Sequence, residues 1–203
     1  MTPRIVGDVS TLPTFDFGPR NLIWWGTSGF MLIEGMGFIL AIGAYFYLYG
    51  RAPEWPPGGG TRPPDLLWGT LFTVVLLASL IPNLWACKLA RRLDQRRTKL
   101  AVAIMVAFAA ATLVLRAFEF PNLNCRWDHT AYGSIVWALM LLHTTHLVTD
   151  AADTLGLRYF MSVEKHLDGE RFVDVDDNAN YWNFVVLSWL PIYAVVYWAP
   201  RLL

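Results

Sequence analysis

Charge is scarce in this chain. Only 16% of its 203 residues are Asp, Glu, Lys or Arg, against about 25% in soluble domains. Sixteen basic and sixteen acidic side chains cancel, so bulk charge offers nothing to a nucleic acid, and none is expected as a partner. Cysteine is scarcer still: two residues give no basis for a disulfide framework. No CxxC pair, nucleophile elbow, glycine-rich phosphate loop or pair of catalytic carboxylates occurs, so catalysis by this chain alone is not expected. What is abundant is apolar: 55% hydrophobic residues, ten tryptophans and a mean hydropathy of +0.38. That balance indicates a polytopic membrane protein.

Five segments, roughly 22–49, 65–89, 99–119, 131–155 and 181–199, are long and apolar enough to cross a hydrocarbon core of about 30 Å. The expected fold is all-α, a bundle of five transmembrane helices in one membrane domain over 1–203, with no internal repeat. Residues 1–20 read as a polar, proline-broken arm that matches neither a secretory signal nor a transit peptide. The connections are a Pro/Gly loop (50–65), a basic turn (88–99), a short link (121–129) and an acidic loop (156–180). Eleven cations share the side of the N-terminus: Arg4, Arg20, six between Lys88 and Lys99, and Arg158, Lys165 and Arg171. Five lie toward the other side: Arg51, Arg62, Arg116, Arg126 and Arg201. The positive-inside rule then predicts the N-terminus inside and the C-terminus outside. Cys87 and Cys125 fall at opposite membrane faces, too far apart for the roughly 7 Å Cα separation a disulfide tolerates. Trp24, Trp25, Trp68, Trp127, Trp182 and Trp198 sit near predicted span ends, where interfacial anchors belong.

Against this apolar background the buried polar groups stand out. Glu34 interrupts the run from Leu22 to Leu48, about 15 Å in from Trp24 at 1.5 Å per residue. A carboxyl at that depth should face protein or water. Thr27, Gly37, Ala41 and Ala44 form a stripe of small residues beside it, which predicts a close helix contact. Glu34 then reads as a carboxyl hydrogen-bonded across helices, or as a proton relay. In the fourth span His143, His146, Asp150 and Asp153 share one face, within about 80°. The two histidines could ligate a metal, but no third ligand of clear spacing accompanies them. A di-haem site would need four axial histidines inside helices, and only these two qualify. An interhelical polar network is the favoured reading. Arg116 and Glu119, three residues apart at the outer end of the third span, read as mutual neutralisation at the interface. The acidic run from Glu164 to Asp177, with His166, reads as a solvated loop or a proton-collecting surface.

Taken in order, several motifs resemble subunit III of the haem-copper oxidases. They are "IEGMGFILAIGAYFYL", "WPP" at Trp55–Pro57, "PDLLWGTLFTVVLLASLIPNLWA", "FEF" at Phe118–Phe120, "AYGSIVWALMLLHTTHLV" and "NYWNFVVLSWLPIYAVVYWAPR". The resemblance runs from about residue 21 to the C-terminus, in a form with five helices rather than seven. It implies that Glu34 takes the place of the family's buried carboxylate, Glu119 that of its outer-end glutamate, and His143 and His146 those of its paired histidines. Where the family often reads His-Phe-Val-Asp, this chain has Asn183, Phe184, Val185 and Val186, which removes two ionisable groups and marks a divergent branch.

The function so implied is that of a non-catalytic subunit of a respiratory terminal oxidase, cytochrome c or quinol oxidase. It would pack on catalytic subunit I and other oxidase subunits, bind phospholipid, and support proton uptake and durability during oxygen reduction. No cofactor is expected in this chain; haem and copper belong to the partner subunit. The lack of a presequence suggests the cell membrane of a bacterium or archaeon rather than the mitochondrial inner membrane. Two other readings are an accessory subunit of a nitric oxide reductase and a small proton-coupled transporter. The last should show inverted repeats or helices broken at the midplane, and neither is found.

Overall fold

The computed structural model describes residues 15–57 and 62–203; Arg4, the rest of the arm before Phe15, and residues 58–61 of the Pro/Gly loop lie outside the described residues. Among the described residues the architecture is all-α, with no strand. The helices are α1 (Leu22–Tyr49), α2 (Leu66–Ala78), α3 (Leu80–Ala90), α4 (Gln95–Glu119), α5 (Ala131–Val163), α6 (Gly169–Tyr193) and α7 (Ala199–Leu202). They make five membrane-length units, because α2 and α3 continue one another and α6 runs through a wide turn into α7.

Helix starts follow side-chain capping. Asn21 accepts from the Ile23 N–H at 2.9 Å, Asp94 from Arg97 at 3.1 Å, Thr130 from Gly133 at 3.0 Å and Asp168 from Arg171 at 3.0 Å, so four helices have an otherwise orphaned donor satisfied. The interruption at Ser79 precedes Pro82, which has no N–H to offer the carbonyl four residues back. Pro191 does the same in α6, and the chain widens to a π turn at Ala194–Trp198.

In the packed bundle α6 touches α1, α2, α3 and α5, while α4 lies across α2, α3 and α5. A ladder of hydrogen bonds pins α6 antiparallel along α2 and α3. Tyr193 and Thr70 share one at 2.7 Å, Trp189 donates to Thr73 Oγ1 at 2.8 Å, and Trp182 donates to Ser79 Oγ at 2.7 Å. Asn83 Nδ2 donates to the Ala179 carbonyl at 2.8 Å and to Asn183 Oδ1 at 3.0 Å. At the far end Asp176 accepts from Cys87 Sγ at 2.7 Å and Arg91 Nε at 2.8 Å, and that last bond raises the guanidinium of Arg91 above its ordinary value. Where water is excluded, as for Trp182, Trp189 and Asn83, each rung fixes the rotation of α6 as well as its register. The outward faces stay apolar, with Leu22, Leu32, Ile33, Leu67 and Ile81 among the most exposed large side chains, as lipid contact requires.

Several expectations change on this scaffold. The acidic loop over 156–180 is mostly helical: α5 continues to Val163 and α6 starts at Gly169, leaving a turn of Glu164–Asp168. Charged residues lower mean hydropathy there but do not oppose helix formation, since Arg171 bonds Asp174 at 2.8 Å and Glu164 at 2.8 Å. Trp182, expected at an interface, is wholly buried in the middle of α6. The small-residue stripe on α1 divides: Thr27 bonds Asp177 of α6 at 2.6 Å and Ala41 packs against the core, while a Cβ on Gly37 would meet nothing within 4 Å and Ala44 is exposed. The protein-facing side of α1 is carried chiefly by Phe38 and Tyr45. Cys87 and Cys125 are unpaired; burial pushes the Cys125 thiol up to about 11.

Candidate functional site

Two buried polar clusters occupy the bundle, and the Phe38 ring packs against a histidine of each, His146 and His143. The first joins α1, α5 and α6. Glu34 points inward, its side chain 14% exposed, with Oε1 3.1 Å from His146 Nε2. The Tyr181 hydroxyl donates to the other carboxyl oxygen at 2.8 Å. His146 Nδ1 lies 2.6 Å from the Leu142 carbonyl. A carbonyl only accepts, so that nitrogen carries a proton. Glu34 and His146 therefore meet through Oε1 and Nε2, with the other nitrogen of the ring held by its own helix. Phe38 closes the pair off, its ring centroid 4.9 Å from that of His146.

The second cluster joins α2, α4, α5, α6 and the π turn. Arg116 and Glu119 are 1% and 0% exposed and bonded at 2.6 Å. Neutralisation at the interface was the expectation; the pair is instead in the core. Its surroundings explain how a guanidinium is held there. Arg116 stacks over Phe72 at 3.8 Å and over Trp189 at 4.3 Å, and aromatic faces replace part of its lost hydration. Tyr197, presented by the π turn, donates to Glu119. His143 Nδ1 lies 2.9 Å from Arg116 Nη2, and its Nε2 lies 3.0 Å from the Val185 carbonyl. Since guanidinium only donates and carbonyl only accepts, His143 is a neutral ring protonated on Nε2. One cation and one anion remain, and the cluster balances.

Below the first cluster, Asn178 Nδ2 donates to Asp150 Oδ1 at 3.1 Å and Asp153 Oδ2 at 3.0 Å. The four predicted residues of α5 thus part company. His143 serves the second cluster, His146 the first, Asp150 is buried beside α6, and Asp153 is exposed. All ring nitrogens of the two histidines are engaged by protein atoms. Among the described residues no three His, Cys, Asp or Glu side chains gather as a metal would require. The sequence reading missed Tyr181, Tyr197, Asn178, Phe72 and Trp189. For the aromatic pair the only signal was position, since their apolar surroundings read as core.

Comparison with known proteins places the chain in a family. The family described as "Cytochrome c oxidase subunit III" matches residues 21–200. A protein named "Cytochrome c oxidase subunit 3" from Rhizopus stolonifer is 26% identical over 203 residues, covering 94% of this chain and 70% of that protein. Its namesake from Pylaiella littoralis is 23% identical over 175 residues, 82% of this chain but 63% of that protein. The one from Thermostichus vulcanus is 22% identical over 172 residues, 85% of each. The chain therefore spans less than two thirds of the Pylaiella relative and most of the Thermostichus one. Five membrane-length helices, a carboxyl and two histidines drawn into the core, and a match that leaves only the first 20 and last three residues uncovered lead to one assignment: this chain belongs to the cytochrome c oxidase subunit III family.

Proposed function

We propose that this chain is the non-catalytic subunit III of a haem-copper terminal oxidase, oriented with its N-terminus inside. It packs on the catalytic subunit and other oxidase subunits, holds phospholipid against its apolar faces, and supports proton uptake and durability during oxygen reduction. Haem and copper reside in the partner. The family match over residues 21–200 is the observation that carries this reading. The geometry supports a scaffold rather than a redox centre, because both imidazoles already spend their nitrogens on Arg116, Glu34 and backbone carbonyls. A ligand role for either would first have to break those bonds.

The test is Glu34→Gln in the assembled complex. Gln keeps an acceptor for Tyr181 and a partner for His146, so the complex still assembles and oxygen turnover changes by less than about twofold. A carboxyl on an obligatory proton path would cost about 10²-fold or more. Removing the whole chain should leave the haem spectrum of the partner unchanged while shortening its active lifetime during turnover. Turnover collapsing in Glu34→Gln with assembly intact would contradict the scaffold reading and favour a relay.

A further inference from the structure

A cavity of about 640 Å³ opens between the start of α1, the second half of α5 and the start of α6. Asp150, Asp153, Asp177 and Asn178 line it, together with Phe30 and Phe160. The two phenylalanines remain about half exposed, so the cavity communicates with the outside of the bundle.

Its electrostatics are unbalanced. Among the described residues Arg171 is the only cation on the wall, and it is committed to Glu164 and Asp174, 2.8 Å from each. Glu34, just beyond, is committed to His146 and Tyr181. On the α3 side Asp176 is taken by Arg91. That leaves Asp150, Asp153 and Asp177 with no cationic partner among the described residues. Asp150 is 2% exposed, its Oδ1 accepts from Asn178, and its buried Oδ2 accepts from no described residue. Asp177 Oδ2 takes the Thr27 hydroxyl at 2.6 Å, and its buried Oδ1 is likewise without a partner. Buried acceptors are nearly always satisfied, so two orphaned carboxyl oxygens at one cavity call for a donor that the described residues do not supply.

Depth and shape narrow the class of that donor. Asp150 lies nineteen residues past Ala131, the start of α5, about 28 Å along the helix. With a hydrocarbon core of about 30 Å, the cavity sits at headgroup level on the side of the basic turn. It is too roomy for a bare ion, and its aromatic walls, Phe30 stacked with Tyr181 at 6.4 Å and Phe160, suit an organic cation. We propose that this cavity is a binding site for a primary ammonium group, held by Asp150 and Asp177 with Asp153 at its edge. Two sources carry that group at this depth: an amine-headed phospholipid and a free polyamine. The inference deepens the lipid-binding part of the function proposed above.

The test needs no oxidase activity, so it fails or succeeds apart from the co-assembly reading. The full chain in mild detergent is equilibrated with equal phosphatidylethanolamine and phosphatidylglycerol, and the retained lipid is counted by native mass spectrometry. In a second arm, chain in phosphatidylglycerol alone is melted with and without putrescine. Enrichment of phosphatidylethanolamine by about tenfold identifies the lipid as the source; a melting shift with putrescine and no enrichment identifies the free amine. Either effect should vanish in Asp150→Asn/Asp177→Asn and persist in Asp128→Asn, which lies at the opposite end of the bundle. Equal retention of both lipids with no putrescine shift in the unmodified chain overturns the proposal, without recourse to the variants. So does an effect that survives the double substitution.

Discussion

Replacing Glu119 with Ala should destabilise the bundle by about 3–5 kcal/mol. The substitution leaves Arg116, 1% exposed, as an uncompensated charge in the core, and it removes the acceptor of the buried Tyr197 hydroxyl. Phe72 and Trp189 would still stack on the guanidinium, but cation–π contacts of about 2 kcal/mol when desolvated do not replace a counter-ion. The informative comparison is the double variant Arg116→Met/Glu119→Ala. Exchanging a whole buried pair for apolar groups is often nearly neutral, so the double variant should be more stable than Glu119→Ala alone. Reversible unfolding of the purified chain in mixed micelles would measure this. Strictly additive losses would mean that the two charges do not depend on each other.

Gly69→Ala should be nearly as damaging, although it adds only a methyl group. A Cβ there would sit 2.3 Å from Tyr197 Cζ and 2.6 Å from its Cε1, inside any allowed contact. Tyr197 cannot swing away cheaply, because its ring is 1% exposed and its hydroxyl is bound to Glu119. Overpacking of this kind costs about 1–3 kcal/mol and sometimes more. The same unfolding assay applied in a Tyr197→Ala background should show the Gly69→Ala penalty largely gone. A penalty unchanged by loss of the ring would place its origin in the α2 backbone instead.

The existence of five helices was legible because twenty-residue apolar runs have few alternatives in a membrane protein. The start of α6 was not. Asp174, Asp176 and Asp177 lower the hydropathy of its first turns, yet the signals for a helix were present: Asp168 as a cap, and Phe172, Val175 and Ala179 at helical spacing, all buried. Placing the span start at 181 then turned Trp182 into an interfacial anchor, when it is a core side chain bonded to Ser79. Glu34 was legible as protein-facing from its depth alone, but its partners come from residues 112 and 147 positions away, His146 and Tyr181, which no local pattern reveals. Arg116 shows the opposite difficulty. Its i,i+3 spacing to Glu119 was plain, while its burial depends on Phe72, His143, Trp189 and Tyr197, contributed by other elements. Asn183 stands where the family often has a histidine. It meets Asn83 at 3.0 Å, so the position keeps a helix-to-helix hydrogen bond without an ionisable group.

The first cluster ties α1 to the bundle through Glu34, His146 and Tyr181, and the second ties α4 to α5, α6 and the π turn through Arg116, Glu119, His143 and Tyr197. In both, each side chain finds a partner inside the bundle, although Arg116 Nε has no acceptor among the described residues, and both leave the outer faces of the helices to lipid or to another subunit. That division suits a companion subunit, whose polar chemistry is spent on holding its own shape.

The most direct measurement is to capture this chain by an affinity tag from its native membrane in mild detergent and to record reduced-minus-oxidised spectra of the captured material. The account predicts a large haem-bearing, copper-containing subunit in stoichiometric amount, with all haem absorbance following that subunit when the two are separated. Haem or copper remaining on the separated chain, or a chain that comes down with no haem protein at all, would contradict it.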